Sequence, residues 1–149
     1  MCIRDRYFIT SDGYTAENAT IIDKGILKTH LLSIYGANKL GRNREVNDGG
    51  AYIIEPGKKT HKEMISNVEK GILLARFSGG YPSSNGDFSG LAKNSYYIEN
   101  AEIIYPKSET IVSGNICKML HDIKNISKET INFGSGIYPW IQCSDITIS

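Results

Sequence analysis

A chain of 149 residues, 40% apolar and 22% charged, has room for one folded domain around one core, and its 15 glycines mark it as rich in turns rather than disordered. Seventeen basic against sixteen acidic residues leave a formal charge of +1, so no global field draws the protein to nucleic acid or to a membrane, and neither is expected as a partner. The three cysteines, Cys2, Cys117 and Cys143, make no Cys-x-x-Cys pair and no apolar run nears the ~20 residues of a membrane-spanning helix, so a soluble, cytoplasmic protein is expected.

Met1 to Arg6 shows no periodicity and reads as a non-native start, which leaves Tyr7 to Ser149 as the folded region. Thr20 to Leu27 places apolar pairs on either side of Asp23-Lys24-Gly25 and reads as a β-hairpin with glycine in the left-handed position. Ser33 to Leu40 suits a short helical turn stopped by Gly41, and Gly41 to Gly50 is a polar surface loop. Ala51 to Ile54 is a strand closed by Glu55-Pro56-Gly57. Thr60 and Glu63 form a capping box for a helix carrying Met64, Ile65, Val68 and Ile72 on one face, ending near Gly71.

Ile72 to Phe77 then reads as a strand and Gly79 to Gly90 as a long loop. Ala92 to Ile98 and Glu102 to Tyr105 form a hairpin turning at Asn100-Ala101, and Thr110 to Val112 is another strand. Ser113-Gly114-Asn115 leads a second helix with Ile116, Met119, Leu120 and Ile123 on one face. Two last β runs, Thr130 to Tyr138 and Trp140 to Ile148, hinge at Pro139. The class is α+β: a largely antiparallel, strongly curved sheet with two amphipathic helices.

No local constellation supplies chemistry. His30, His61 and His121 are isolated, and a helical zinc site needs two histidines a turn apart with a glutamate beside them. His61 reads as a solvated first-turn residue, and Cys117 and Cys143 as small buried hydrophobes. Gly36 to Asn43 lacks the lysine and hydroxyl of a phosphate loop, and Gly134-Ser135-Gly136 lacks the third glycine of a dinucleotide motif. Tyr96, Tyr97, Tyr105 and Tyr138 read as cross-strand packing, with a groove for an extended peptide as the alternative. The loop from Gly79 to Gly90 is the least ordinary feature, long and polar enough to be functional.

Taken in order, Gly86-Asp87-Phe88-Ser89-Gly90, Tyr97-Ile98-Glu99-Asn100-Ala101-Glu102-Ile103, Tyr105-Pro106 and Ser113-Gly114-Asn115 resemble the carboxy-terminal domain of the TldD/PmbA (TldE) family. Asp23-Lys24-Gly25-Ile26-Leu27 and Ser33 to Gly41 resemble an upstream segment of the same family, whereas Ala101 stands where its hairpin glycine is usual. The resemblance implies that residues 7–149 are a fragment of a longer protein of the TldE/PmbA type. TldD-type members carry His-Glu-x-x-x-His and a cysteine ligand near the terminal strands; Asn132 to Gly136 holds no cysteine and Cys143 is out of register with that ligand. No catalytic residue, metal ligand or cofactor is therefore expected here. The resemblance implies zinc in a TldD-type metallopeptidase partner, unstructured peptides as substrates, and a substrate path bordered by the family-motif residues Gly79, Gly80, Gly86, Asp87, Phe88, Ser89, Gly90, Gly114 and Asn115. A module that only stabilises the partner is the alternative.

Overall fold

The computed structural model describes residues 2–4, 8–46 and 50–149. Of the expected non-native start, residues 1, 5 and 6 lie outside this description, as do residues 47–49 of the expected polar loop. The chain divides into two compact units, residues 1–56 with 130–139, and residues 57–129 with 140–149.

The first unit begins with β1 (Cys2–Arg4), β2 (Ala19–Thr20), β3 (Ile22–Asp23) and β4 (Ile26–Leu27), followed by α1 (Ile34–Leu40) and β5 (Ala51–Ile53). β1 pairs antiparallel with both β2 and β5. β3 and β4 form the expected hairpin, Ile22 opposite Leu27, and its two-residue turn needs positive φ at both positions, supplied by Lys24 at 47° and Gly25 at 81°. α1 is a helix in its own right, so the described residues hold three helices rather than the expected two. Ser33 accepts from the Gly36 amide at its start, and Gly41 ends it in the left-handed conformation with φ of 62°.

One polar cluster joins distant parts of this unit. The Asp12 carboxylate accepts from the Thr10 hydroxyl at 2.7 Å, the Ile34 amide at 3.0 Å and the Arg44 guanidinium at 3.1–3.3 Å. Arg44 also lies over the Tyr14 ring, 4.4 Å from its centroid. The loop expected to be plain surface is thereby tied in through Arg44. These hydrogen bonds, the Arg44 one foremost, hold the Asp12 carboxyl well below the usual carboxylate range.

The second unit contains α2 (His61–Ile65), β6 (Lys70–Gly79), β7 (Asp87–Glu99), β8 (Glu102–Lys107), β9 (Thr110–Asn115) and α3 (Ile116–His121). Next come β10 (Ile123–Asn132), β11 (Gly136–Cys143) and β12 (Thr147–Ile148); the tip of the β10–β11 hairpin belongs to the first unit, where β11 pairs parallel with β5. The second unit's sheet runs β12-β9-β7-β6, all antiparallel. The thirteen-residue β7 is its spine: β6 lines one side, while β9 and then β8 line the other.

The capping box at α2 is present, with Thr60 accepting from the Glu63 amide and Glu63 from the Thr60 amide at 2.7 Å. The helix nevertheless stops at Ile65, short of Gly71. The carbonyls of Val68 and Glu69 are already claimed by the Ala101 and Asn100 amides, and Ile72 pairs with Tyr97 in the sheet. Sheet pairing thus overrides the helical spacing of Val68 and Ile72. α3 ends at His121 in the same way, its expected fourth face residue, Ile123, opening β10. At the β7–β8 turn Asn100 and Ala101 take φ of 50° and 68°, so alanine holds the position where glycine is usual and the strands persist. Tyr97 and Tyr105 stack across this hairpin at 5.2 Å, as expected for cross-strand packing.

The expected break at Pro139 is absent. β11 runs through it, and the β10–β11 turn lies at Phe133 to Ser135. Proline offers no amide to the ladder, and the next amide, that of Trp140, is taken by the Ser127 hydroxyl at 2.7 Å while that hydroxyl donates to the Glu129 carbonyl at 2.7 Å. Ser127 is completely buried.

The core is small. Among the described residues its hydrophobic members are Ala16, Ala19, Ile21, Ala37 and Ala51 in the first unit and Met64, Ala92, Ile98 and Val112 in the second, while Ile103, Ile104, Tyr105 and Ile111 stay 45–50% exposed.

Two outcomes follow from these contacts. Ser127→Ala strands the part-buried Trp140 amide and should cost about 1–3 kcal/mol, read as a lower midpoint in urea or thermal unfolding. Because the Asp12 carboxyl titrates lower in the folded than in the unfolded chain, its stabilisation is complete above the ordinary carboxylate range and is lost as pH falls through its folded value. Asp12→Asn should therefore lower the melting temperature at neutral pH, and the difference from the unsubstituted chain should shrink on acidification; a difference independent of pH would contradict this origin.

Candidate functional site

The motif residues separated in sequence meet at one end of the second unit's sheet. β7 begins opposite the end of β9, so that Asp87 is the register partner of Asn115, and Phe88 of Gly114. Asn115 uses both ends of its amide. Its Nδ2 donates to the Asn85 carbonyl at 2.9 Å and to Asp87 Oδ1 at 2.8 Å, while its Oδ1 accepts from the Cys117 and Lys118 amides at 3.0 and 3.2 Å, capping α3.

The loop itself is shorter than expected. Gly79 closes β6 and residues 87–90 belong to β7, which leaves residues 80–86 as the connection. Asn85 Nδ2 donates to Asp87 Oδ2 at 2.8 Å, and the Ser83 amide and hydroxyl both donate to the Asp87 carbonyl, at 2.9 and 3.0 Å. Gly86, with φ of 90°, gives its carbonyl to the Ile116 amide at 2.8 Å. The donors Asn115 and, after it, Asn85 pull the Asp87 carboxyl below its ordinary value.

Glycine at 79 and 90 is explained by packing. The two are cross-strand partners, and Phe77 lies across both: a Cβ on Gly90 would stand 2.5 Å from the Phe77 ring and 2.7 Å from the Gly79 Cα. Phe77 meets Phe88 edge to face at 5.8 Å, and a Cβ on Gly114 would come within 3.2 Å of Phe88. Gly80 stands in open space, and nothing in the structure explains its identity. Ser89 lies opposite Ser113.

Beside this junction opens a concavity of about 1110 Å³, walled by Ile72 and Leu74 of β6, Ile116 and Met119 of α3, and Tyr81 and Pro82 of the loop. Its charged lining residues, Glu69, Lys70, Lys124 and Asp145, balance in sign. Sequence reasoning marked the loop and the Gly-Asn pair but missed that one side chain joins them; the signal was the Ser-x-Asn-x-Asp spacing of Ser83, Asn85 and Asp87, which is turn chemistry.

Two expectations about single residues need correction. Cys117 is exposed rather than buried, because α3 is only six residues long and turns Ile116 and Met119 to the concavity. Cys143 is half-buried, and burial followed by the nearby Asp122 charge pushes its thiol up, away from the reactive thiolate. His61 is not a solvated first-turn residue either. Its ring stacks on Trp140 at 4.6 Å, with Nε2 buried and unpartnered.

Among the described residues no group of three or more histidine, cysteine, aspartate or glutamate side chains could hold a metal ion. The donors of the described residues therefore do not fit a zinc site. No helix of the described residues is long and apolar enough to cross a membrane.

The sequence pattern of the PmbA/TldA metallopeptidase C-terminal domain matches residues 4–149. The chain belongs to this family. It is 30% identical over 142 residues to the metalloprotease PmbA homolog of Buchnera aphidicola subsp. Acyrthosiphon pisum (strain APS), covering 93% of this chain and 30% of the relative. It is 28% identical over 134 residues to the zinc metalloprotease TldD homolog of Saccharolobus solfataricus, covering 82% of this chain and 30% of that protein. Among solved structures, BT3649 of Bacteroides thetaiotaomicron VPI-5482, described as a candidate modulator of DNA gyrase, superposes with a TM-score of 0.84 at 30% identity, covering 96% of this chain and 33% of the other. The chain thus spans about a third of the length of the relatives it matches.

Gly90→Ala should cost about 1–3 kcal/mol through overpacking. Phe77→Ala in the same chain should restore only part of that loss, because the Gly79 backbone is as close as the ring; urea unfolding of the single and double variants checks both statements.

Proposed function

We propose that this chain is the carboxy-terminal part of a TldE/PmbA-type subunit in a TldD/TldE-type zinc metallopeptidase assembly of the cytoplasm, where it shapes the chamber that receives unstructured peptides. The observation that carries this reading is the apolar concavity walled by the family-motif loop and α3. Its lining charges cancel, which suits a neutral, apolar stretch of peptide better than a charged ligand. Among the described strands β6 pairs with β7 alone, and its other edge offers main-chain groups that could bind an extended chain without regard to sequence. The donor set supports placing zinc, and the hydrolytic step it supplies, in a TldD-type partner.

A second reading has its own support. The exposed Ile103, Ile104, Tyr105 and Ile111 form apolar surface of the kind that subunits bury, which fits a module that only stabilises the catalytic partner.

The chain alone should not cleave a labelled unstructured peptide, with or without added zinc, and should purify without stoichiometric zinc. A full-length TldE/PmbA-type protein containing it, co-expressed with a TldD-type subunit, should cleave the peptide and lose that activity to a chelator. Shortening the 80–86 loop in that complex should slow turnover of long peptides about tenfold, equivalent to ~1.4 kcal/mol, without dissociating the subunits. Undiminished turnover with the complex intact would favour the stabilising module, and zinc-independent cleavage by the isolated chain would overturn both readings.

A further inference from the structure

Two walls of the concavity are weak when taken separately. α3 has six residues, far below the length at which a helix holds itself together in water, and no residue of it is buried. The 80–86 loop carries Tyr81, which is 101% exposed, so that this side chain gains nothing from packing. Yet the bonds that hold both converge on one side chain. Asn115 gives one donor to the loop at Asn85, the other to Asp87 at the start of β7, and its acceptor to the first turn of α3, and the main-chain bond from Ile116 to Gly86 runs alongside.

We infer that Asn115 is a latch that makes the loop and α3 a single conformational unit, so that the two walls of the concavity open or hold together and a disturbance at Tyr81–Pro82 is transmitted to Ile116 and Met119. The polarity of the amide is what makes the latch. An aspartate at 115 retains an acceptor for the Cys117 and Lys118 amides but has no donor for the Asn85 carbonyl, and it sets a second carboxylate against Asp87. A cap acting on the helix alone would tolerate that change; a latch would not. The coupling concerns the proposed chamber, but it is read with no peptide or partner present, so it can fail while the peptidase reading stands, and the reverse.

The test is hydrogen exchange followed by mass spectrometry on the full chain, comparing it with N115D and with the swap N115D/D87N. In N115D, the amides of residues 83–87 and those of residues 118–122 should accelerate together by about tenfold, the weight of a lost charge-assisted hydrogen bond, while residues 92 and 110–112 of the sheet stay protected. The swap restores an amide facing a carboxylate between positions 87 and 115 but supplies no donor for the Asn85 carbonyl, so it should return part of the protection, and to both segments in parallel. Faster exchange in the loop with α3 unchanged would overturn the inference, as would unchanged exchange in both or a uniform acceleration across the whole sheet. Should N115D fail to fold, D87N alone weakens the acceptor of the same bond and should still accelerate both segments in parallel, with the same outcomes deciding.

Discussion

The pairing of Asp87 with Asn115 is the constraint on which this end of the molecule rests. β7 and β9 come into register there, and what leaves each strand, the 80–86 loop from one and α3 from the other, has no core of its own. Asn115 can serve both because an amide carries donor and acceptor on one rigid plane, whereas a carboxylate or a hydroxyl would satisfy only one side at the required separation. The glycines follow from the same crowding. Gly79 and Gly90 let Phe77 lie across the strand pair, Gly114 leaves room for Phe88, and Gly86 supplies the backbone turn that aims its carbonyl at the Ile116 amide.

Such precision at one junction contrasts with the thin interior elsewhere. Among the described residues, the largest completely buried side chains are serines, Ser95 and Ser127, and alanine dominates the buried hydrophobic set. A chain that hides so little large apolar surface draws much of its definition from hydrogen bonds such as those around Asp12 and Ser127, which fix geometry but contribute modestly to net stability. The apolar area it leaves outside is surface that a larger protein or a partner would cover.

Features governed by neighbours in sequence were legible. The Lys24-Gly25 and Asn100-Ala101 turns and the Thr60–Glu63 capping box depend on residues within four positions of one another, and each stands where the pattern places it. Features decided by partners far along the chain were not. Val68 and Ile72 continue a helical spacing, but the β7 hairpin claims that backbone; Pro139 signals a break, but Ser127, twelve residues earlier, mends it. Arg44 looks like loop charge until Asp12 is seen beside it. The candidate site was half legible for the same reason. Its motifs could be named one by one, but the register that brings Asp87 to Asn115 is a property of the sheet.

The same distinction separates binding from chemistry in this chain. The proposed wall for a peptide would need apolar area, main-chain groups at a strand edge and a defined rim, the roles that the strands, glycines and Asn115 would fill. Activating water needs ligands converging within ångströms of one another, and the described histidines do not converge: His61 is stacked on Trp140, while His30 and His121 stand exposed. Burial of the Cys143 thiol works against its ionisation, so the half-buried cysteine beside the concavity is suited to packing rather than to ligation. Under the proposed function these properties suit a divided enzyme, in which the wall would keep its shape while the reacting groups would be carried in another subunit.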